Sequence, residues 1–373
     1  MKKTLAAVAV LGAFAGSAFA ADVTLYGRID EGILYQHTDR DVSGEGANDS
    51  WGLESGNSTG SRFGVKGSEQ IADVLTVSFT LEHGFNADDG SFGDDDRMFN
   101  REASLRVTTD FGEIGVGRMG RILSDAGTYS QRGQFILGSN WGGMTGGTEM
   151  ITDATSSRLD NMITYKSPSF AGMTFYAQYA MGDTAKDGSA EENTSKTDRY
   201  YGAAVVGNWG NLTAMLGAEQ TNYTSYVEGV GGKDVDDSIG VEGSVAYDFG
   251  FVKTSLTGRY FQDGNGINEI TDNEVLGQID GYGVKVAAAA PVFGGTLQGM
   301  VGYLDAESSD TKVDDYEVSR YTVALTYQYP LSKRTYLYTA ASYTKDNYDN
   351  NNDKTKDAEP TNTAFMFGMA HYF

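Results

Sequence analysis

From Val23 to Phe373 apolar and polar residues alternate with a period of two rather than the 3.6 of an amphipathic helix. In Val23-Thr24-Leu25-Tyr26-Gly27-Arg28-Ile29 the odd positions are apolar or small and the even ones carry Thr, Tyr and Arg. The alternation recurs over 62–67, 76–85, 102–107, 114–118, 161–165, 173–179, 200–209 and 212–220. It continues over 238–249, 252–262, 279–287, 296–305, 320–329, 335–344 and 363–373. This pattern predicts sixteen strands, each close to the ~10 residues that a tilted strand needs to cross a bilayer. The longest apolar run, Val286 to Phe293, is interrupted by Pro291 and is far short of a membrane helix. The only stretch compatible with a helix is a short one near Gly120 to Ser130.

Connections alternate in length. Tight ones fall at Phe111-Gly112, Ser167 to Ser169, Gly210-Asn211, Gly250, Pro291 to Gly295 and Pro330 to Lys333. Long ones are expected at 36–60, 86–98, 120–157, 182–199, 221–237, 263–277, 305–317 and 345–361. A soluble β-sandwich would also alternate, but its inward face would be apolar. Over 320–329 the odd set is Tyr321, Val323, Leu325, Tyr327 and Tyr329, and the even set is Arg320, Thr322, Ala324, Thr326 and Gln328. Apolar residues outside, polar ones inside and aromatic strand ends describe a transmembrane antiparallel β-barrel around water. Such a sheet has to close, because an open edge in hydrocarbon leaves backbone groups unpaired.

Composition narrows the reading. The chain has 373 residues with 49 Gly, 23 Tyr, 18 Phe, 4 Pro and no Cys, and a formal net charge of −23. Without Cys there are no disulfides, thiolate metal sites or Cys nucleophiles. An acidic chain of this kind is a poor nucleic-acid binder. The three His residues, His37, His83 and His371, are too scattered for a His-based metal or catalytic site, so neither a metal nor a cofactor is expected. Met1-Lys2-Lys3, an apolar stretch from Leu5 to Ala15 and Ala18-Phe19-Ala20 read as a signal peptide over 1–20, with one barrel domain over 21–373. Removing Lys2 and Lys3 makes the mature chain more acidic by two, and the long loops together carry that entire excess. The aspartate runs at 94–96 and 346–353 lack the spacing of a Ca²⁺ loop and read as solvated segments.

At the end of the chain Phe365, Phe367, Met369, His371 and Phe373 share one face. This alternation resembles the assembly signal of bacterial outer-membrane barrels. Blocks along the chain carry a more specific resemblance: Val23 to Asp30 (VTLYGRID), Gly60 to Glu69 (GSRFGVKGSE), Leu81 to Asn86 (LEHGFN), Phe111 to Arg118 (FGEIGVGR) and Thr164 to Phe175 (TYKSPSFAGMTF). In this order they are similar to the general trimeric porins of Gram-negative outer membranes, most of all the β-proteobacterial and neisserial type. The resemblance spans the whole mature chain.

It implies a sixteen-stranded barrel, assembled as a homotrimer in outer-membrane lipid and lipopolysaccharide by the barrel-assembly machinery. Through it small hydrophilic solutes and ions would diffuse passively. It also implies a third external loop folded inward, here 120–157, facing a basic wall at Arg28, Arg62, Arg118 and Arg158. The residues add that Arg28, Arg62, Lys66, Arg106, Arg118 and Arg158 are all even-numbered and polar, the register expected to face water. An Arg turned to lipid at mid-bilayer would cost about 2–4 kcal/mol. Glu82 and Glu102 share that register and could pair with neighbouring Arg side chains. The acidic side of the constriction departs from enterobacterial relatives, whose loop carries a Pro-Glu-Phe-Gly-Gly tip. Here Arg132 stands near the tip, and the acidic candidates are Asp125, Glu149 and Asp153, which leaves the sign of ion preference open.

Three other functions compete with a general porin. A substrate-specific channel, for a sugar or a dicarboxylate, would line the lumen with an aromatic track. Tyr26, Tyr176, Tyr336 and Tyr338 have inward parity, though on separated strands. A barrel enzyme would need a His beside a Ser or carboxylate, yet His371 has lipid-facing parity and His37 and His83 lie at strand ends. An adhesin could use the acidic loops alongside a pore.

Overall fold

The computed structural model describes residues 22–41, 46–94, 97–136, 158–182, 197–223, 236–265, 278–309, 315–351 and 357–373. The expected leader lies outside them. Strands account for nearly all the regular structure: β1 (Thr24–Asp39), β2 (Asn48–Ser55), β3 (Arg62–Ala72), β4 (Leu75–Gly84), β5 (Glu102–Thr109), β6 (Gly112–Gly120), β7 (Arg158–Lys166), β8 (Met173–Ala180) and β9 (Arg199–Trp209). The second half contains β10 (Leu212–Asn222), β11 (Ser238–Asp248), β12 (Lys253–Asn265), β13 (Gln278–Val292), β14 (Gly295–Ser308), β15 (Tyr316–Pro330), β16 (Thr335–Asn350) and β17 (Thr361–Tyr372). No helix among the described residues is long and apolar enough to cross a membrane. The short helix expected at 120–130 is absent. Residues 121–131 are irregular, and a single 3₁₀ turn follows at Arg132–Gln134.

From β3 to β17 each strand pairs antiparallel with the next. The sheet closes where β17 pairs with β1, from Arg28 opposite Tyr372 to Asp39 opposite Thr361. On its other side β1 has two partners: Glu31–Thr38 pair with β2, and Thr24–Arg28 pair with β3. β2 and β3 are therefore two halves of one crossing, and the closed barrel has sixteen crossings, as the alternation implies.

Residues 56–61 interrupt that crossing. Gly56 has a positive φ of 79°, a conformation natural for glycine. Its N–H donates to the Asp30 carbonyl at 2.8 Å. The Asp30 carboxylate accepts the N–H groups of Ser58 and Thr59 at 3.1 and 2.7 Å and the Tyr338 hydroxyl at 2.6 Å. Asn57, Ser58 and Ser61 are consequently buried against the inner wall.

Several expected loops are partly strand. The segment 36–60 contains the end of β1 and all of β2, β14 runs to Ser308, and β16 runs to Asn350. Much of the acidic charge assigned to loops thus stands on strands that rise past the bilayer. On β13–β16 the outward side chains change in the same order along each strand. Val286, Val301, Val323 and Tyr343 are neighbours in register, followed by Val284, Tyr303, Tyr321 and Lys345. Then come Tyr282, Asp305, Ser319 and Asn347, and finally Asp280, Glu307, Glu317 and Asp349.

On β17 Phe365, Phe367, Met369 and His371 lie on the outer face, exposed there, and His371 Nδ1 lies 2.9 Å from the Thr335 hydroxyl. Phe373 exchanges both backbone hydrogen bonds with Gly27. Its ring lies on that glycine, where a Cβ would come within 2.3 Å of Phe373 Cζ.

Candidate pore constriction

Arg28 of β1, Arg62 of β3, Arg101 just before β5 and Arg158 at the start of β7 build a cationic wall. Arg28 and Arg62 are directly opposite each other in register. Arg28, Arg101 and Arg158 all lie near enough to Arg62 for their charges to act on it. One carboxylate sits among them. Glu82 accepts Arg101 Nε at 2.8 Å and the Tyr26 hydroxyl at 3.0 Å, and lies 3.6 Å from Arg62 Nη1. The inward turn orients Arg62, whose Nε donates to the Gly60 carbonyl at 2.9 Å and whose Nη2 donates to Thr59 Oγ1 at 3.1 Å. Lys66 lies nearer the short-turn end with Nζ 5.0 Å above the Tyr26 ring. Arg158 is opposite Gly120 in register.

Arg118 stands at the edge of this wall, within electrostatic range of Arg158. On β6 the even positions Ile114 and Val116 are exposed on the outer face, so an even number does not mean inward on this strand. Arg118 pairs with Ala103, which alternates with the buried Glu102 and Ser104. Beside it a bulge at Gly117 (φ 125°) shifts the register against β7. The guanidinium is held by Asp160 at 2.6 Å and by the Asn100 carbonyl at 2.8 Å, and Asp160 also binds Arg97.

The described part of the third long connection, residues 121–136, packs on the inner wall. Ile122, Leu123, Tyr129 and Phe135 are buried with Met162, Tyr176, Tyr200 and Met215 of β7–β10. Ile136 packs with Leu34, Tyr338 and Met366 on the far side of the closure. Glu102 accepts the N–H and hydroxyl of Thr128, and Glu113 accepts the Tyr129 hydroxyl. Glu102 also binds Arg106 at 3.2 Å. Gln178 accepts the Ile122 N–H at 2.8 Å and donates to the Gly120 carbonyl at 3.0 Å.

A buried chain of charges completes the attachment. Arg121 and Arg259 both meet Glu219 Oε1 at 2.7 Å, Arg259 reaches Glu242 at 3.4 Å, and Arg132 grips Glu242 through Nε at 3.1 Å and Nη2 at 2.6 Å. Burial opposes the Arg132 charge, but Glu242, with Glu219 and Asp125, outweighs it and holds the guanidinium above its ordinary pKa. Asp125 is exposed, within electrostatic range of Arg158 and Arg132. Glu149 and Asp153 lie outside the described residues.

Sequence reasoning missed Arg101, Arg121, Glu219, Glu242 and Arg259. The last three carried a usable signal, since each is a charge on the inward register of a membrane strand. It also judged the lumenal tyrosines to be scattered. Tyr176 on β8 is apart from the rest, but closure of β17 on β1 brings Tyr336 and Tyr338 to the wall that carries Tyr26.

A closed barrel with an apolar outer face, a charged interior and a connection packed within it is the architecture of a porin. A family model described as Gram-negative porin matches residues 6–351. The chain belongs to the Gram-negative porins. It is 32% identical over 400 residues to an outer membrane porin protein of Bordetella pertussis, with 100% of both chains covered. It is 29% identical over 355 residues to outer membrane porin protein 32 of Delftia acidovorans, covering 92% of this chain and 90% of that one. Among solved structures, an anion-selective porin from Comamonas acidovorans superposes with a TM-score of 0.65 at 24% identity, over 95% of this chain and 100% of that one. The porin described here is an outer-membrane channel for small hydrophilic solutes and ions, crossing the bilayer with strands. Its family and fold are those of a channel.

Proposed function

We propose that residues 121–136 narrow this porin against the wall formed by Arg28, Arg62, Lys66, Arg101 and Arg158, and that the narrow zone favours anions. The observation that carries this reading is the gathering of four arginines, Arg28, Arg62, Arg101 and Arg158, with Glu82 paired to Arg62 and Arg101 among them. Charges in a narrow passage with low-dielectric walls act at short range and are screened less than at an open surface. Asp125 is the carboxylate of the described segment that acts on this wall; the other acidic candidates, Glu149 and Asp153, lie outside the described residues. Arg118, tied to Asp160, tunes the rim instead. The acidic strand extensions add a weaker cation bias in the wide outer vestibule, where salt screens it.

The porin works as a homotrimer after loss of residues 1–20, with Phe365, Phe367, Met369, His371 and Phe373 as the pattern read by the assembly machinery. Lipid and lipopolysaccharide surround the outer face. Reversal potentials across a salt gradient test the constriction. Arg62→Ser with Arg158→Ser should move selectivity toward cations, more at low salt, and Arg118→Ser should move it much less. The opposite ranking would relocate the filter to the rim.

A further inference from the structure

Closure of β17 on β1 creates a feature of the inner wall that neither strand reveals alone. Tyr372 is directly opposite Arg28, which is directly opposite Arg62. The Arg28 guanidinium carbon stands 5.1 Å from the centroid of the Tyr372 ring, and its Nη1 donates to the Tyr372 hydroxyl at 3.2 Å. The ring of Tyr336 lies 6.2 Å from that of Tyr372 and 6.2 Å from that of Tyr338. On the other side of Arg28 the end of the Tyr26 ring covers Gly64, where a Cβ would come within 2.8 Å of Tyr26 Cζ, with Lys66 Nζ 5.0 Å from the ring centroid. The strip therefore joins a run of aromatic faces on β16 and β17 to the cations of β1 and β3. Tyr372 is 39% exposed, and Tyr26 and Tyr336 are half-buried, so ring surface faces the water of the lumen. Tyr338 is buried, fixed by its hydrogen bond to Asp30, and makes a rigid floor beside Tyr336.

We propose that this strip is a transit site for aromatic monocarboxylates. The carboxylate would meet the planar guanidinium of Arg28, with the Arg62 charge, itself held by Gly60, Thr59 and Glu82, directly opposite. The ring would lie against Tyr372 and Tyr336. A neutral sugar would also stack on tyrosine, but it gains nothing from the cations set beside the Tyr372 and Tyr26 rings. Small inorganic anions use the cations and ignore the rings. The charge and the flat apolar face together select a planar organic anion. Ile136 belongs to the same buried cluster as Tyr338, against which Tyr336 packs, so residues 121–136 end beside this wall and a solute passing them meets it. The inference rests on the basic-wall reading and names a substrate class for it.

The test uses the full-length porin in planar bilayers, comparing block of the KCl current by sodium benzoate and by sodium cyclohexanecarboxylate. The two carry the same charge and have similar size, but only benzoate is planar and aromatic. Benzoate should interrupt the current at roughly tenfold lower concentration, the scale of one or two ring contacts. Tyr372→Leu should bring the two acids level. Because Tyr372 lies in the closing strand, Tyr336→Leu is the second variant, and it should at least halve the discrimination. Arg28→Lys, which keeps the charge and loses the planar fork, should weaken benzoate block by severalfold. Equal block of the wild type by both acids would overturn the proposal, as would block by a malto-oligosaccharide with no discrimination between them. A wild type without anion preference in its reversal potential would instead remove the basic-wall reading itself.

Discussion

Arg132→Ala tests whether the connection inside the barrel is held by charge. Arg132 and Glu242 are 13% and 1% exposed, and two hydrogen bonds of 3.1 and 2.6 Å join them. Removing one partner of a buried ion pair commonly costs about 3–5 kcal/mol, because a charge is left without compensation. Here Glu242 keeps Arg259 at 3.4 Å, so the loss should be nearer 2 kcal/mol. Glu102, Glu113 and Gln178 still hold the segment, so the barrel should stay folded while the Arg132 end detaches more often. About 2 kcal/mol corresponds to a roughly thirtyfold rise in the detached population. Single-channel recording should show this as frequent brief steps to higher conductance, rare in the wild type. Arg132→Lys keeps the charge and loses the two-point grip, and it should lie between them. If Arg132→Ala gives quiet traces of wild-type conductance, with normal heat resistance of the folded band on gels, then packing of Ile122, Leu123 and Phe135 holds the segment and the charged chain is incidental.

Two further outcomes concern assembly. Gly27→Val would drive a side chain into the Phe373 ring, so the closing pair β1–β17 should form poorly, seen as loss of the fast-migrating folded band on unheated gels. Native levels of folded protein would show that the ring can move aside. The detergent-solubilised mature chain should migrate as a heat-sensitive trimer with a β-rich circular dichroism spectrum, and an unheated monomer would contradict the trimer.

Period-two alternation made the barrel legible, because hydrocarbon outside and water inside impose it residue by residue. The interrupted crossing was not, because Trp51 and Leu53 of β2 sit in a polar surrounding that reads as loop. Parity counting alone does not place Arg118, because the count restarts at every turn and bulge. Ile114 and Val116 are the apolar pair of β6, and beside Gly115 and Gly117 they already marked even positions as outward. The chain Arg121–Glu219–Arg259–Glu242–Arg132 could be only half seen. Strand periodicity places Glu219, Glu242 and Arg259 inside, but it says nothing about where an irregular segment will lay its arginines. The Tyr372–Arg28 contact spans 344 positions and exists only because the sheet closes.

The graded outer surface of β13–β16 gives the barrel a waterline. On β14 the sequence Val301, Tyr303, Asp305, Glu307 passes from oil to water within seven residues, and three neighbouring strands repeat the transition. A two-residue step along a tilted strand changes depth by about 5 Å. Sinking by one step would put Asp305 where Tyr303 belongs, and rising by one would lift Val301 into the headgroups. The barrel can rotate and drift freely in its membrane, yet it cannot bob.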